Sequence, residues 1–437
     1  MSLTPAVPPD GPSGGSVSGT VGRRDVLRLA SLLGLVALPA GCLAGGGRAD
    51  TGTGTGTRND RTLPTDDPAE PDDAAVPDDP AEPAARDRSV IVVGAGAAGL
   101  SAAHLLTRAG VDVRVMEAGT THGGRLRHVT GFVDFPIPLG AEWIHDDADV
   151  LDDIAGGPVD VALVGYGTDD TLGHYDGTLR IAPIADEADL KFVASSWLDF
   201  FDTYVVPGIA DTLRPDTRVV GIDATGEHVT VTDERGSSID ADAVIVTVPV
   251  SILRARTIAF TPDLDAAMWA AIDDVEVWGG IKVFIEFDER FYPTFLTFPD
   301  SDTRAGQRLY FDATHGQDSD ANVLGLFAVG GPAAAYQGLD DDALRALVLA
   351  ELDEVFDGAA SRSYRRHLTQ DWSAEPHIRQ AYVADHADWR LVRTLGRPTS
   401  ERVLFAGDAY TDGENWSEVH VAARSARVAV ERFLRSW

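Results

Sequence analysis

"SVIVVGAGAAGLSAAHLLTRAGVDVRVMEA", residues 89–118, decides how the rest of the chain is read. Ser89 to Val93 is a β-branched run of the kind buried on both faces of a parallel sheet. Gly94, Gly96 and Gly99 follow, Ala97 to Arg108 has helical spacing, and Val111 to Met116 makes a second strand ending at Glu117. The whole is one βαβ unit. In it, Gly94 permits the tight turn, Gly96 lets a pyrophosphate approach the backbone, and Gly99 lets helix and strand pack closely. The positive end of the helix faces the phosphates. Glu117 is placed to accept hydrogen bonds from a ribose hydroxyl. The unit predicts a dinucleotide site without choosing between NAD and FAD.

Two later segments make that choice. "GTTHGGRLRH", residues 119–128, puts Gly123, Gly124 and Arg125 just past Glu117, where an arginine reaches back to the same phosphates with paired donors. "ERVLFAGDAY", residues 401–410, predicts a strand ending at Phe405, a Gly407-Asp408 turn, and a helix from about Ser417 to Leu434. Such a turn sets an acid and a helix N-terminus beside a ribityl chain and the pyrimidine edge of a flavin, which favours FAD.

Composition bounds the rest. The 437 residues, 44% hydrophobic and 24% charged, suffice for a large core and suggest two interleaved lobes. Asp and Glu number 69 against 36 Lys plus Arg, a net charge of −33, so repulsion argues against nucleic acid or an anionic membrane face as partner. Abundant carboxylate with almost no lysine is the composition of a soluble protein from very salty surroundings, where the screening length falls to about 3 Å. The N-terminus reads as an address. Arg23-Arg24 precedes an apolar run from Leu29 to Leu38 and then "PAGC", ending at Cys42, the sole cysteine. This pattern resembles a twin-arginine export signal with a lipoprotein box, although Pro39 stands where Leu is usual. The expectation is export, with a lipid anchor on Cys42 at the outer face of the cytoplasmic membrane as the only membrane contact. Residues 43–87, rich in Gly, Thr, Pro and Asp, predict an acidic tether without a core.

The separated motifs together resemble the flavin-containing amine oxidases, from about Ser89 to Val430. The motifs are the glycine triplet with Glu117; Gly123-Gly124-Arg125; "LGAEWIH" at 139–145; "VVGIDATGEHVTVT" at 219–232 leading to "ADAVIVTVPVSIL"; the "IKVFIEF" strand at 281–287; "DWSAEPHIRQAY" at 371–382; and "LFAGD" at 404–408. The resemblance implies an α/β fold, an FAD-binding Rossmann-like lobe of the GR2 type interleaved with a mixed α+β substrate lobe. The expected FAD-lobe segments are 88–150, 215–255 and 371–437; those of the substrate lobe are 151–214, unusually short, and 256–370.

Carried over by position, the resemblance implies that Glu117 holds the adenosine ribose, Arg125 the phosphate side, Val219 the adenine through its backbone, and Asp408 the pyrophosphate and ribityl region. Ala381 stands where the family often has the cysteine that bonds the flavin, so FAD should be bound non-covalently. Lys282 falls where the family has a lysine that holds a water at flavin N5. The alternation of its strand sets Ile281, Val283 and Ile285 on one face and Lys282, Phe284 and Glu286 on the other. The implied reaction is hydride transfer from the carbon beside an amine nitrogen to the flavin, with an imine hydrolysed to a carbonyl and O2 reduced to hydrogen peroxide. The substrate would be a mono- or polyamine, and no metal is expected.

Tyr382 would form one wall of an aromatic slot. The opposite wall falls to Trp416, with Glu418 as the alternative. For Glu142 and His145 two roles stand side by side, attracting a cation and titrating near neutrality, or ordering a loop. Short substrate-lobe sequence allows a shallow cavity, and Val421-Ala422 replaces the small pair usual at the start of the last helix. Two other functions fit the same sequence: a related desaturase or oxidase of an apolar substrate, and a flavin-binding surface protein with little turnover.

Overall fold

Five short parallel strands carry the dinucleotide unit, and the chain leaves their sheet and returns to it three times. Across the sheet they run Leu213–Arg214, Asp112–Met116, Ser89–Val93, Ala243–Val246 and Val403–Phe405. The computed structural model describes residues 88–184 and 187–436; the twin arginines, Cys42 and the acidic tether lie outside the described residues. Val90–Val93 and Ala243–Val246 are buried on both faces, which explains their continuous apolar sequence. On one face, helix Ala97–Arg108 packs against the final helix Val419–Ser436 over Val90, Val92, Val113 and Val115. A four-stranded sheet built on Val219–Asp223 and Val229–Asp233 covers the other face, meeting Ile91, Val93, Val244 and Val246.

A seven-stranded sheet forms the second layer. Its order is Tyr364–Asp371, Gly280–Phe287, Asn322–Gly330, Gly306–Asp312, Phe295–Thr303, Thr171–Tyr175, Leu179–Pro183. The pairs are antiparallel except the one between Phe295–Thr303 and Thr171–Tyr175. Segment 151–214 therefore supplies two strands to this sheet, as well as helix Trp197–Tyr204.

Every residue of Gly280–Phe287 is buried, and its alternation is as the sequence predicts. Ile281, Val283 and Ile285 pack on Leu344, Val348 and Leu352 of helix Asp341–Val355, while Phe284 joins the core between the layers. Each such side chain contributes about 1.5–3 kcal/mol relative to exposure. Two of them outweigh the cost of holding Lys282 on the opposite face only if that ammonium is paired. Among the described residues no helix is long and apolar enough to cross a membrane.

Candidate active site

Between the two layers lies a cavity of about 920 Å³, at the upper end of the range of about 300 to 1,000 Å³ usual for small-molecule and cofactor sites. The brevity of segment 151–214 has not made it small. Gly94, Gly96, Glu117, Gly124, Arg125 and Val219 line it, and so do Gly407, Asp408, Lys282, Tyr382 and His145. Gly99 and Trp416 do not.

The dinucleotide end is built from backbone. Gly94 adopts φ +104, and Gly99 is the packing position, because a Cβ there would lie 1.9 Å from the Gly94 carbonyl oxygen. At Gly96 an added Cβ would meet nothing within 4 Å, so the position opens on empty cradle. Gly96 also begins helix Ala97–Arg108, whose first turn has no side-chain cap and no acid. Those free N–H groups and the positive helix end suit a phosphate. Glu117 accepts from Ala95 N through Oε2 and from Gly119 N through Oε1, both at 2.7 Å, leaving each oxygen a second lone pair toward the cavity. These features fit a dinucleotide.

Arg125 does something the sequence did not suggest. Its guanidinium forms a bidentate pair with Asp408, Nη1 at 2.9 Å and Nη2 at 2.6 Å, and donates to the Ala381 carbonyl. The two groups expected to meet the cofactor separately are thus partners, tying together segments far apart in the chain.

The lysine site starts from Gly140. A Cβ there would stand 1.8 Å from the Arg125 carbonyl oxygen, so "LGAEWIH" runs hard against the Gly124-Arg125 segment, and Ala141 N donates to that oxygen at 3.1 Å. This course delivers Glu142, whose side chain has no exposure, to Lys282. Lys282 Nζ donates to Glu142 Oε2 at 2.9 Å. The other lysine of the chain, Lys191, places its Nζ 3.2 Å from Oε1, a charge contact without hydrogen-bond geometry. Burial alone would push the Glu142 carboxyl up, but the charges of Lys282 and Lys191 and the hydrogen bond from Lys282 outweigh it and hold it below the usual carboxylate range. The rings of Phe311, Trp143 and Phe284 lie 5.3, 5.6 and 5.6 Å from Lys282 Nζ, adding cation–π attraction. The two cations that Glu142 meets both come from the chain itself.

Around His145 the cavity turns acidic. His145 Nδ1 donates to Asp189 Oδ1 at 2.7 Å, and its Nε2 lies 3.8 Å from Glu418 Oε2. Tyr382 is buried, packs edge-on to Trp278 and donates to Gln307 Oε1 at 3.3 Å. The expected role of Trp416 as a cavity wall is corrected. Its indole N–H donates to the Ala384 carbonyl at 3.0 Å and its ring packs on the core, while Ser417, Glu418 and Val419 reach the cavity instead. The physical reason is Ser417, whose φ of +72 reverses the chain and breaks any simple alternation of facing residues. In the last helix Ala422, not Val421, faces the cavity, so the small residue stands where the space is needed. Asp189 and Lys191 were missed by sequence reasoning; only the scarcity of lysine signalled the latter.

Residues 204–434, more than half of the chain, match the family profile "Flavin containing amine oxidoreductase", and residues 92–155 match an NAD(P)-binding Rossmann-like domain. The chain belongs to the flavin-containing amine oxidoreductases. Relatives of this oxidoreductase include polyamine oxidase 4 of Oryza sativa subsp. japonica, 24% identical over 78% of this chain and 88% of that one. Lysine-specific histone demethylase 1B of Mus musculus is 24% identical over 74% of this chain and 50% of that protein. In fold, the oxidoreductase is similar to putrescine oxidase solved with putrescine, with TM-score 0.66 and 15% identity over 80% of this chain and 99% of that one. FAD is the cofactor of this flavoprotein enzyme, and Gly96, Glu117 and Gly124 line the cavity described above.

Proposed function

We propose that the protein oxidises small amines, with di- and polyamines the class its cavity suits best. The reading rests on one observation: one cavity is lined both by the dinucleotide cradle and by Lys282 and Tyr382. The chemistry that FAD supplies when bound is acceptance of a hydride from the carbon beside an amine nitrogen, giving an imine that water hydrolyses, and return of the electrons to O2 as hydrogen peroxide. The chain's own residues bind and orient. Lys282, clamped by Glu142, holds one water in the cavity through a compact donor that an arginine fork would not match. Tyr382 offers a flat wall against which an uncharged amine lies. Glu418, with Asp189 behind His145, gives an acidic rim for the second ammonium of a diamine. The polyamine oxidases among the relatives and the putrescine-bound enzyme of similar fold support this choice.

The proposed layout assigns 88–150, 215–255 and 371–437 to FAD binding and 151–214 and 256–370 to the substrate side. It adds export by the twin-arginine route and a lipid on Cys42, on the strength of Arg23-Arg24 and "PAGC" alone. Mixing purified protein anaerobically with mono-, di- and polyamines tests the main claim. Bleaching of the flavin by di- or polyamines, and peroxide on readmission of air, is the expected result; no bleaching by any amine refutes it. Loss of membrane fractionation in Cys42→Ser checks the anchor.

A further inference from the structure

Lysine is the residue this chain has all but discarded: two among 36 basic residues. Both are buried, and both end on Glu142. Lys282 lines the cavity, whereas Lys191 does not and lies behind the carboxylate. Strand Glu187–Phe192 brings it there by pairing antiparallel with Trp143–Ile144, Lys191 opposite Trp143. Besides the Glu142 contact at 3.2 Å, its ammonium donates to the Ala313 carbonyl at 2.6 Å. A second buried cation is an expense without purpose if Glu142 served only to neutralise Lys282, because one carboxylate already cancels one ammonium. Two ammoniums and one carboxylate leave a net single positive charge at this wall.

We infer that Lys191 is a positioning residue: from behind the wall it keeps Glu142 ionised, so that Glu142 clamps Lys282 and the three groups together present one positive charge to the cavity. The inference rests on the reading of Lys282 as the working cation of the cavity. The other titratable groups facing this cluster are Tyr166, Asp189 and Asp312, and each has its own partner. Tyr166 accepts from Trp143 Nε1 at 2.8 Å, Asp189 from His145 at 2.7 Å, and Asp312 lies 3.1 Å from Arg290. Asp312 also feels Lys191, after the stronger pull of Arg290, whereas Glu142 is the carboxylate that Lys191 meets directly at 3.2 Å. A positive charge in the wall also favours a cofactor that becomes more negative on reduction, so Lys191 raises the potential of bound FAD without touching it.

The test uses the FAD-loaded enzyme and two substitutions, Lys191→Gln and Lys191→Arg. Infrared spectroscopy follows the Glu142 carboxyl, assigned as the band lost in Glu142→Gln, and dye equilibration gives the flavin midpoint potential. In Lys191→Gln the carboxyl should protonate about 1–3 pH units higher, the range an opposite charge at this separation imposes, and the potential should become more negative. Lys191→Arg should stay closer to wild type in both. A Lys191→Gln protein unchanged in either measurement, or a Lys191→Arg protein shifted as far as Lys191→Gln, overturns the inference. If Lys191→Gln does not fold, the wild-type spectrum decides. A protonated Glu142 band at pH 7 overturns the inference, and its absence down to pH 5 supports it. Unchanged flavin reoxidation in Lys282→Met would instead overturn the reading of Lys282, leaving the infrared and potential results on Lys191 standing.

Discussion

Replacing Glu142 by Gln removes the carboxylate that both buried ammonium groups meet. Lys282 and Lys191 are 4% and 3% exposed, so bulk water replaces little of the lost solvation. Breaking a buried ion pair by deleting one partner costs about 3–5 kcal/mol, a large part of a total stability of about 5–15 kcal/mol. For a protein of this size, at about 2 °C per kcal/mol, Glu142→Gln should melt about 6–10 °C below wild type near neutral pH. The pH dependence has a definite sign. Because the folded Glu142 pKa is depressed by its two lysines, its contribution is fully present above the unfolded carboxyl pKa of about 4.3. It is lost as pH falls through the lower folded value. The gap between wild type and Glu142→Gln should therefore be constant above about pH 5 and close in strong acid. Calorimetric melts of both proteins from pH 3 to 8 measure it. A gap under about 1 kcal/mol at pH 7, the worth of an exposed pair, would refute the account of the buried cluster.

Lys282→Met should keep bound FAD and fold, because Lys191 still neutralises Glu142, but should slow flavin reoxidation by O2 about a hundredfold, the lower end of what one positioned proton-handling group contributes; stopped-flow mixing with air-saturated buffer measures it. Gly96→Val should yield folded, colourless protein, since its side chain would fill the open cradle; a variant with a full complement of flavin would contradict the placement. Denaturation in acid or detergent should release all the yellow colour into the filtrate, because Ala381 offers no thiol to the flavin. Colour retained on the polypeptide would show a covalent bond.

Local sequence was enough for the dinucleotide unit. Residues 89–117 bring strand, turn, helix and strand within one βαβ stretch, so apolar periodicity and glycine positions specify it without knowledge of the remaining chain. The alternation of Gly280–Phe287 was equally legible, since a strand's side-chain period of two fixes which residues share a face. Trp416 and Glu418 were not resolvable, because the irregular backbone at Ser417 has no period from which facing could be read.

The sequence by itself determined that a nucleotide cradle exists and that lysine is scarce enough to matter. Only the tertiary structure decided where those lysines go. Glu142, Lys191 and Lys282 arrive from different elements: strand register sets Lys191 opposite Trp143, and Lys282 reaches Glu142 across 140 positions of the chain. Arg125 and Asp408 meet in the same way. Such meetings depend on long-range packing, and the Coulomb energy that makes them consequential arises only once burial has removed the water between the charges.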